Sequence, residues 1–265
     1  MRAQTRTGGG TGTNQYQLRG RSSPGAPLLT QIYSEWRYTP PERWASLLRD
    51  LPEEDRQEMA RQPQCPPAVL ASLARDQYWT IPYAVACNPA APAATLRRLA
   101  NSHSDPHRLE SIARNPSCPR DVQFKFLGWG TPELLRALAG NPGCDPRVLS
   151  DIIQLNTADP ALVAALQHPR LPAAQVKQIA RTGDTWQCIQ LLKRPDLPAP
   201  VLVIIMKGHG DMLWVRHEIA KHNNCPPALL EQLIQDHNPE VASAAARHPG
   251  LPRATLAMWQ LARRP

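Results

Sequence analysis

One proline-centred turn recurs along the chain at a nearly constant interval, and this period constrains the fold more than any other feature. The turn reads Arg-Gln-Pro-Gln-Cys-Pro-Pro up to Pro67, Cys-Asn-Pro-Ala-Ala-Pro up to Pro92 and Arg-Asn-Pro-Ser-Cys-Pro up to Pro119. Its anchors are Pro63, Pro89, Pro116, Pro142, Pro169, Pro195, Asn223 and Pro249, at intervals of 26, 27, 26, 27, 26, 28 and 26 residues. Thr39-Pro40-Pro41 stands in register with Cys65-Pro66-Pro67 and marks one further, N-terminal copy. Periods of about 20–50 residues belong to arrays in which each unit buries its apolar face only against its neighbours.

Within each copy the punctuation predicts helices. Three residues after the anchor stands Pro40, Pro66, Pro92, Pro119, Pro172, Pro198, Pro226 or Pro252, with Asp145 the exception. Proline is tolerated in the first turn of a helix, where its missing N–H has no partner anyway. Apolar residues at helical spacing follow: Val69, Leu70, Leu73 and Ala74 in one copy, Val148, Leu149, Ile152 and Ile153 in another. A second, shorter segment closes each copy with a small apolar pair such as Val85-Ala86, Ile112-Ala113 or Ile219-Ala220. Alanine there lets neighbouring segments approach closely. The expected fold is an all-α, right-handed superhelical solenoid of about nine 26-residue repeats, each an α-helix plus a short 3₁₀ or α segment.

The runs Ile112-Ala113-Arg114-Asn115-Pro116-Ser117-Cys118-Pro119, His222 to Leu230 and Asp236 to Val241 resemble the leucine-rich repeat variant motif over roughly residues 37–262. That family is similar to HEAT-like solenoids, so the resemblance implies α-helices alternating with short 3₁₀ segments in a right-handed superhelix. Some members hold an iron–sulfur cluster in a cysteine-rich N-terminal module. Here the first cysteine, Cys65, already lies inside the array, so the expectation is no cofactor and no metal.

Composition bears mainly on partners. The formal charge is +8, but residues 1–27 carry four arginines and no acid, which leaves +4 for the rest. That Gly-, Thr- and Ser-rich stretch reads as a disordered basic tail, and residues 28–265 as the repeat array. The longest wholly apolar run, Val201–Met206, is too short to cross a bilayer. The N-terminus has no apolar leader segment, so the expected location is cytoplasmic with no membrane partner.

Catalytic constellations do not emerge. No Cys-x-x-Cys pair occurs, and Cys65, Cys118, Cys144 and Cys225 share a slot filled elsewhere by leucine, which reads as core packing. The run from His217 to His222 is one residue too long for a His-Glu-x-x-His zinc site, since residues five apart do not share a helix face. His168, His222 and His248 occupy the slot of Asn88, Asn115 and Asn141, where short polar side chains bond the local backbone. The chain is thus expected not to be an enzyme.

Two surface features stand out. One is a basic ladder two residues before the anchors: Arg61, Arg114, Lys193, Lys221 and Arg247, interrupted by Cys87, Gly140 and Gln167. It suits phosphate tracking along a nucleic acid, though the preference of cations for helix C-terminal ends explains the slot without any ligand. The other is an apolar patch of Val203 and Ile204, where other copies carry Arg97-Arg98 or Glu231-Gln232, with Met258 and Trp259 in the last copy. It suits a protein partner or self-association. The overall expectation is a non-catalytic scaffold for an unidentified protein partner, with nucleic-acid backbone binding as the alternative.

Overall fold

The computed structural model describes residues 41–102, 105–155 and 160–263. The basic tail expected over residues 1–27 lies outside the described residues. All regular structure among them is α-helical, in seventeen helices. The first copy supplies α1 (Pro41–Arg49) and α2 (Glu53–Arg61), and the next ones α3 (Pro67–Leu73), α4 (Thr80–Cys87), α5 (Ala93–Asn101) and α6 (Pro106–Arg114). Then come α7 (Arg120–Trp129), α8 (Pro132–Ala139), α9 (Pro146–Gln154), α10 (Pro160–Gln167), α11 (Ala173–Thr182) and α12 (Thr185–Leu192). The array continues with α13 (Ala199–His209), α14 (Leu213–Lys221), α15 (Pro227–Leu233), α16 (Pro239–Arg247) and α17 (Arg253–Ala262). Eight copies are therefore helix pairs, and the ninth contributes α17.

The recurring proline sits one position earlier than the first helical turn. Pro66, Pro92, Pro119, Pro172, Pro198, Pro226 and Pro252 are N-cap residues. Their φ values, between −57° and −71°, are those the pyrrolidine ring imposes. Asp145, the exception in sequence, caps α9 instead by accepting the Arg147 N–H at 2.8 Å. Where the resemblance implies 3₁₀ segments, the second helices are α-helices of eight or nine residues. Several are started by side chains: Asp105 caps α6, Asp184 caps α12 and Asn238 caps α16. The 28-residue interval likewise adds helix rather than loop, since Lys207, Gly208 and His209 complete the eleven-residue α13.

Two layers result. The second helices α2, α4, α6, α8, α10, α12, α14 and α16 pack on one another in unbroken succession. The first helices pack closely only at α1–α3, α7–α9 and α11–α13. Small residues explain the difference: Ala60, Ala86, Ala113, Ala139, Ala165, Ala220 and Ala245 are all buried in the second-helix layer. Because like helices stack on like, every connection from a first to a second helix falls on one edge, and every proline-anchored turn falls on the other.

A polar ladder runs through the proline-anchored turns. Asn88 Nδ2 donates to Ala60 O at 2.7 Å and Gln62 O at 2.8 Å, while its Oδ1 accepts the Ala90 N–H at 2.8 Å. Asn115 and Asn141 repeat this pattern one and two copies on. His168 Nε2 donates to Asn141 O at 3.0 Å, and its Nδ1 accepts the Arg170 N–H at 3.1 Å. His222 and His248 do the same toward Arg194 O and His222 O. An Nδ1 that accepts a backbone N–H leaves Nε2 as the donor, so the imidazole stands in for the amide. The expected local backbone bonding is present, and each Asn or His rung also ties its turn to the preceding copy, whereas Arg194 in the same slot bonds Asp196 of its own turn.

Burial holds the His168 imidazole below its ordinary pKa of about 6.5, helped by the charges of Arg170 and Arg194 and opposed by its bond to Asn141 O. The folded state therefore resists a proton that the unfolded chain takes up. This contribution is present above about pH 6.5 and is lost as the pH falls below it. Urea midpoints should drop between about pH 7.5 and 5.5, and His168→Asn should flatten that slope. A slope unchanged in the variant would remove His168 as its origin.

Candidate functional site

All five residues of the expected basic ladder are exposed, at the C-terminal ends of second helices. Arg61, Arg114, Lys221 and Arg247 end α2, α6, α14 and α16, and Lys193 is the C-cap of α12. That placement matches the helix-end preference of cations. Two are partly neutralised: Arg114 pairs with Glu110 and Lys221 lies 3.7 Å from Glu218, whereas Lys193 Nζ donates to the uncharged Gln190 Oε1 at 3.0 Å. The interruptions split the column. Only Lys193, Lys221 and Arg247 occupy three successive copies.

The apolar patch is smaller than its pattern implies. Val203 and Ile204 are half-buried and Ile204 packs against the core, whereas Lys177, Gln178, Glu231 and Gln232 in the same slots are exposed. Half-burial is common in these two slots, since Ser72, Arg98, Ser150 and Asp151 are half-buried there as well. On α17 the two residues separate: Met258 is exposed, while Trp259 is half-buried beneath the Arg263 guanidinium, 4.2 Å from its ring centroid. The structure does not bring the Val203–Ile204 pair and the α17 residues into one surface.

A different apolar surface dominates. Nine large apolar side chains are exposed among the described residues. Seven of them, Tyr78, Trp79, Trp129, Leu155, Trp186, Met212 and Trp214, lie in or within two residues of a first-to-second-helix connection. They therefore line one edge of the array. Trp79 is 69% exposed and Trp214 68%, so each ring meets water over most of its surface. Local contacts steady some of them. Trp79 meets Tyr83 edge-on at 6.3 Å, and the Lys125 ammonium lies 5.0 Å from the Trp129 ring centroid. The signal in sequence is the bias of the aromatics: seven Trp against two Phe. An aromatic set serving mainly the core would favour Phe, which has no polar atom to satisfy.

Between that edge and the cations runs the outer stripe of the second helices. On α12 it carries Trp186, Ile189 and Lys193, on α14 Trp214, His217 and Lys221, and on α16 Glu240, Ser243 and Arg247. A groove of about 770 Å³ opens between α14 and α16, lined by His217, Lys221, Ser243, Arg247 and the turns that follow both helices.

The cysteines and histidines serve the interior. Cys65, Cys118, Cys144, Cys188 and Cys225 are buried, Cys87 is exposed, and all six are free thiols. Burial pushes the Cys65, Cys118, Cys144 and Cys225 thiols up to about 12 and Cys188 up to about 11. Protonated thiols spread one per copy do not fit an iron–sulfur cluster, which needs several thiolates at one point. Both ring nitrogens of His222 are committed to backbone groups, so the His217–His222 pair does not converge on a metal. No family model matches this chain, and neither a curated protein nor a solved structure is significantly similar to it.

Proposed function

We propose that this chain is a non-catalytic helical-repeat scaffold that binds another protein along its aromatic edge. The observation that carries the reading is the exposure of Tyr78, Trp79, Trp129, Trp186, Met212 and Trp214, all in or within two residues of a first-to-second-helix connection. Exposed tryptophan is costly to solvate, and Trp and Tyr dominate the energetics of protein interfaces. A solenoid converts one slot in the repeat into a line of anchor points, which suits an extended partner. Buried free thiols fit a reducing compartment, and we assign the protein to the cytoplasm on that ground.

The test is a comparison of captured partners. Trp79→Ala, Trp186→Ala and Trp214→Ala combined should abolish capture of specific proteins by the full chain while leaving its melting temperature within a few degrees, since all three rings are exposed. Loss of each hot-spot ring typically costs about 2 kcal/mol of binding. Unchanged capture would overturn the reading. Salt-sensitive retention of oligonucleotides, lost with Arg61→Glu and Arg114→Glu as well as with Lys221→Glu, would favour backbone binding of nucleic acid instead.

A further inference from the structure

Three features of the second-helix layer coincide only in the C-terminal half. Successive copies there place a tryptophan at the same slot, Trp186 on α12 and Trp214 on α14. Successive copies also place a cation at the slot before the anchor, Lys193, Lys221 and Arg247. The open groove between α14 and α16 is lined by two of these cations, Lys221 and Arg247, together with His217, Glu240 and Ser243. Within each helix the two slots are seven residues apart, which is nearly two full turns. They therefore share a face, separated by about 10 Å along the axis. Neighbouring helices stack at about 8–10 Å, so the three copies extend this strip for roughly 20 Å.

We infer that this strip is a docking site for one amphipathic, acidic helix of a partner protein, lying along the array across α12, α14 and α16. An α-helix is about 10–12 Å across, which matches the width between the aromatic and cationic slots. Its apolar face rests on Trp186, Ile189 and Trp214, and its carboxylates meet Lys193, Lys221 and Arg247. Charge sets the orientation. Glu240 stands at the aromatic side of α16 and repels carboxylates there, while Arg247 makes no ion pair with any described residue at the other end of the same helix. A basic helix would meet like charge along the whole cationic column. The N-terminal half lacks the combination, because Cys87, Gly140 and Gln167 break the cation slot.

This inference rests on the protein-scaffold reading, and its test separates the two. The probes are a labelled peptide of about 18 residues with leucines at helical spacing on one face and glutamates on the other, its lysine counterpart, and a single-stranded oligonucleotide. Fluorescence anisotropy on the full chain should show the glutamate peptide binding at least about tenfold tighter than the lysine peptide, with affinity falling as salt rises. Lys221→Glu with Arg247→Glu should weaken it by about tenfold or more, as should Trp214→Ala, whereas Arg61→Glu with Arg114→Glu should leave it unchanged.

Failure of the glutamate peptide to bind overturns the inference. So does equal binding of the two peptides, or equal loss in the Arg61–Arg114 variant. Oligonucleotide binding that outcompetes the peptide at the same cations also overturns it. If cellular partners are lost with the three-tryptophan variant but kept with Lys221→Glu/Arg247→Glu, the acidic-helix inference fails and the scaffold reading stands. If neither variant loses a partner, both fail.

Discussion

Replacing Asn141 with alanine is expected to destabilise the array by about 3–5 kcal/mol. The side chain is fully buried. Its Nδ2 donates to Ala113 O at 2.7 Å and to Asn115 O at 2.8 Å, and its Oδ1 accepts the Gly143 N–H at 2.7 Å. Alanine removes all three bonds, which strands Ala113 O and the Gly143 N–H, while Asn115 O still accepts the Cys118 N–H at 2.9 Å. Each buried backbone group left unsatisfied costs about 1–3 kcal/mol, and water entering the vacated space recovers part of that. Asn141→His should cost much less, because His168 fills the same slot in the next copy and meets both kinds of backbone partner. Urea unfolding followed by circular dichroism measures both variants. Similar losses for alanine and histidine would show that the slot selects shape rather than hydrogen bonding. Because repeats are stabilised only by their neighbours, the alanine variant should also broaden the transition or split it in two.

Arg216→Met is expected to cost a similar amount, about 3–5 kcal/mol, because it strands a buried carboxylate. Arg216 is only 7% exposed. Its Nε lies 2.6 Å from Asp236 Oδ2, and its Nη1 donates to Gly210 O at 3.0 Å and Asp211 O at 2.9 Å. The pair staples α14 to the connection of the following copy, where Asp236 also accepts the Asn238 N–H at 2.8 Å. Burial by itself would push the Asp236 carboxyl up. The hydrogen bonds from Arg216 and Asn238, with the nearby charge, outweigh burial and hold it below the usual carboxylate range. Its stabilising contribution is therefore present above the ordinary carboxylate value of about 3.9 and is lost as the pH falls below it. Removing both charges, as Arg216→Met with Asp236→Leu, should recover much of the loss, since an apolar pair carries no desolvation penalty. A double variant no more stable than Arg216→Met would show that the backbone bonds, not the stranded charge, set the cost.

The same staple recurs at the other end of the array, where Arg56 pairs with Asp76 at 2.7 Å and donates to Leu51 O. Neither staple is legible in sequence. Arg56 and Arg216 sit in a repeat slot filled elsewhere by Pro82, Leu109, Leu135, Leu162, Cys188 and Ala242. An arginine among apolar residues signals a solvent-facing exception until its partner is known. That partner lies 20 residues onward, in the next copy.

The candidate surfaces follow the same division. The basic ladder was legible because its cations fall in one slot, and all five are exposed there. The aromatic edge was not, because among its tryptophans only Trp186 and Trp214 share an offset from the following anchor, while Trp79 and Trp129 fall at others, and only the stacking of like on like brings every connection to one side. Val203 and Ile204 are half-buried, as several residues in the same slots of other copies are, and the depth of that layer could not be read from the spacing.

The sequence by itself determined the period, the helical pairs, the buried apolar slots and the role of the polar slot in the turns, because these depend on residue type at fixed short spacing. Tertiary structure alone decided that the second segments are full α-helices, that the extra residues near Lys207 lengthen α13, that each Asn or His rung bonds the preceding copy, and that the tryptophans share an edge. Each of those depends on contacts between copies about 26 residues apart. Spacing along the chain reports which face a side chain is on, but not which group from the neighbouring copy it meets there.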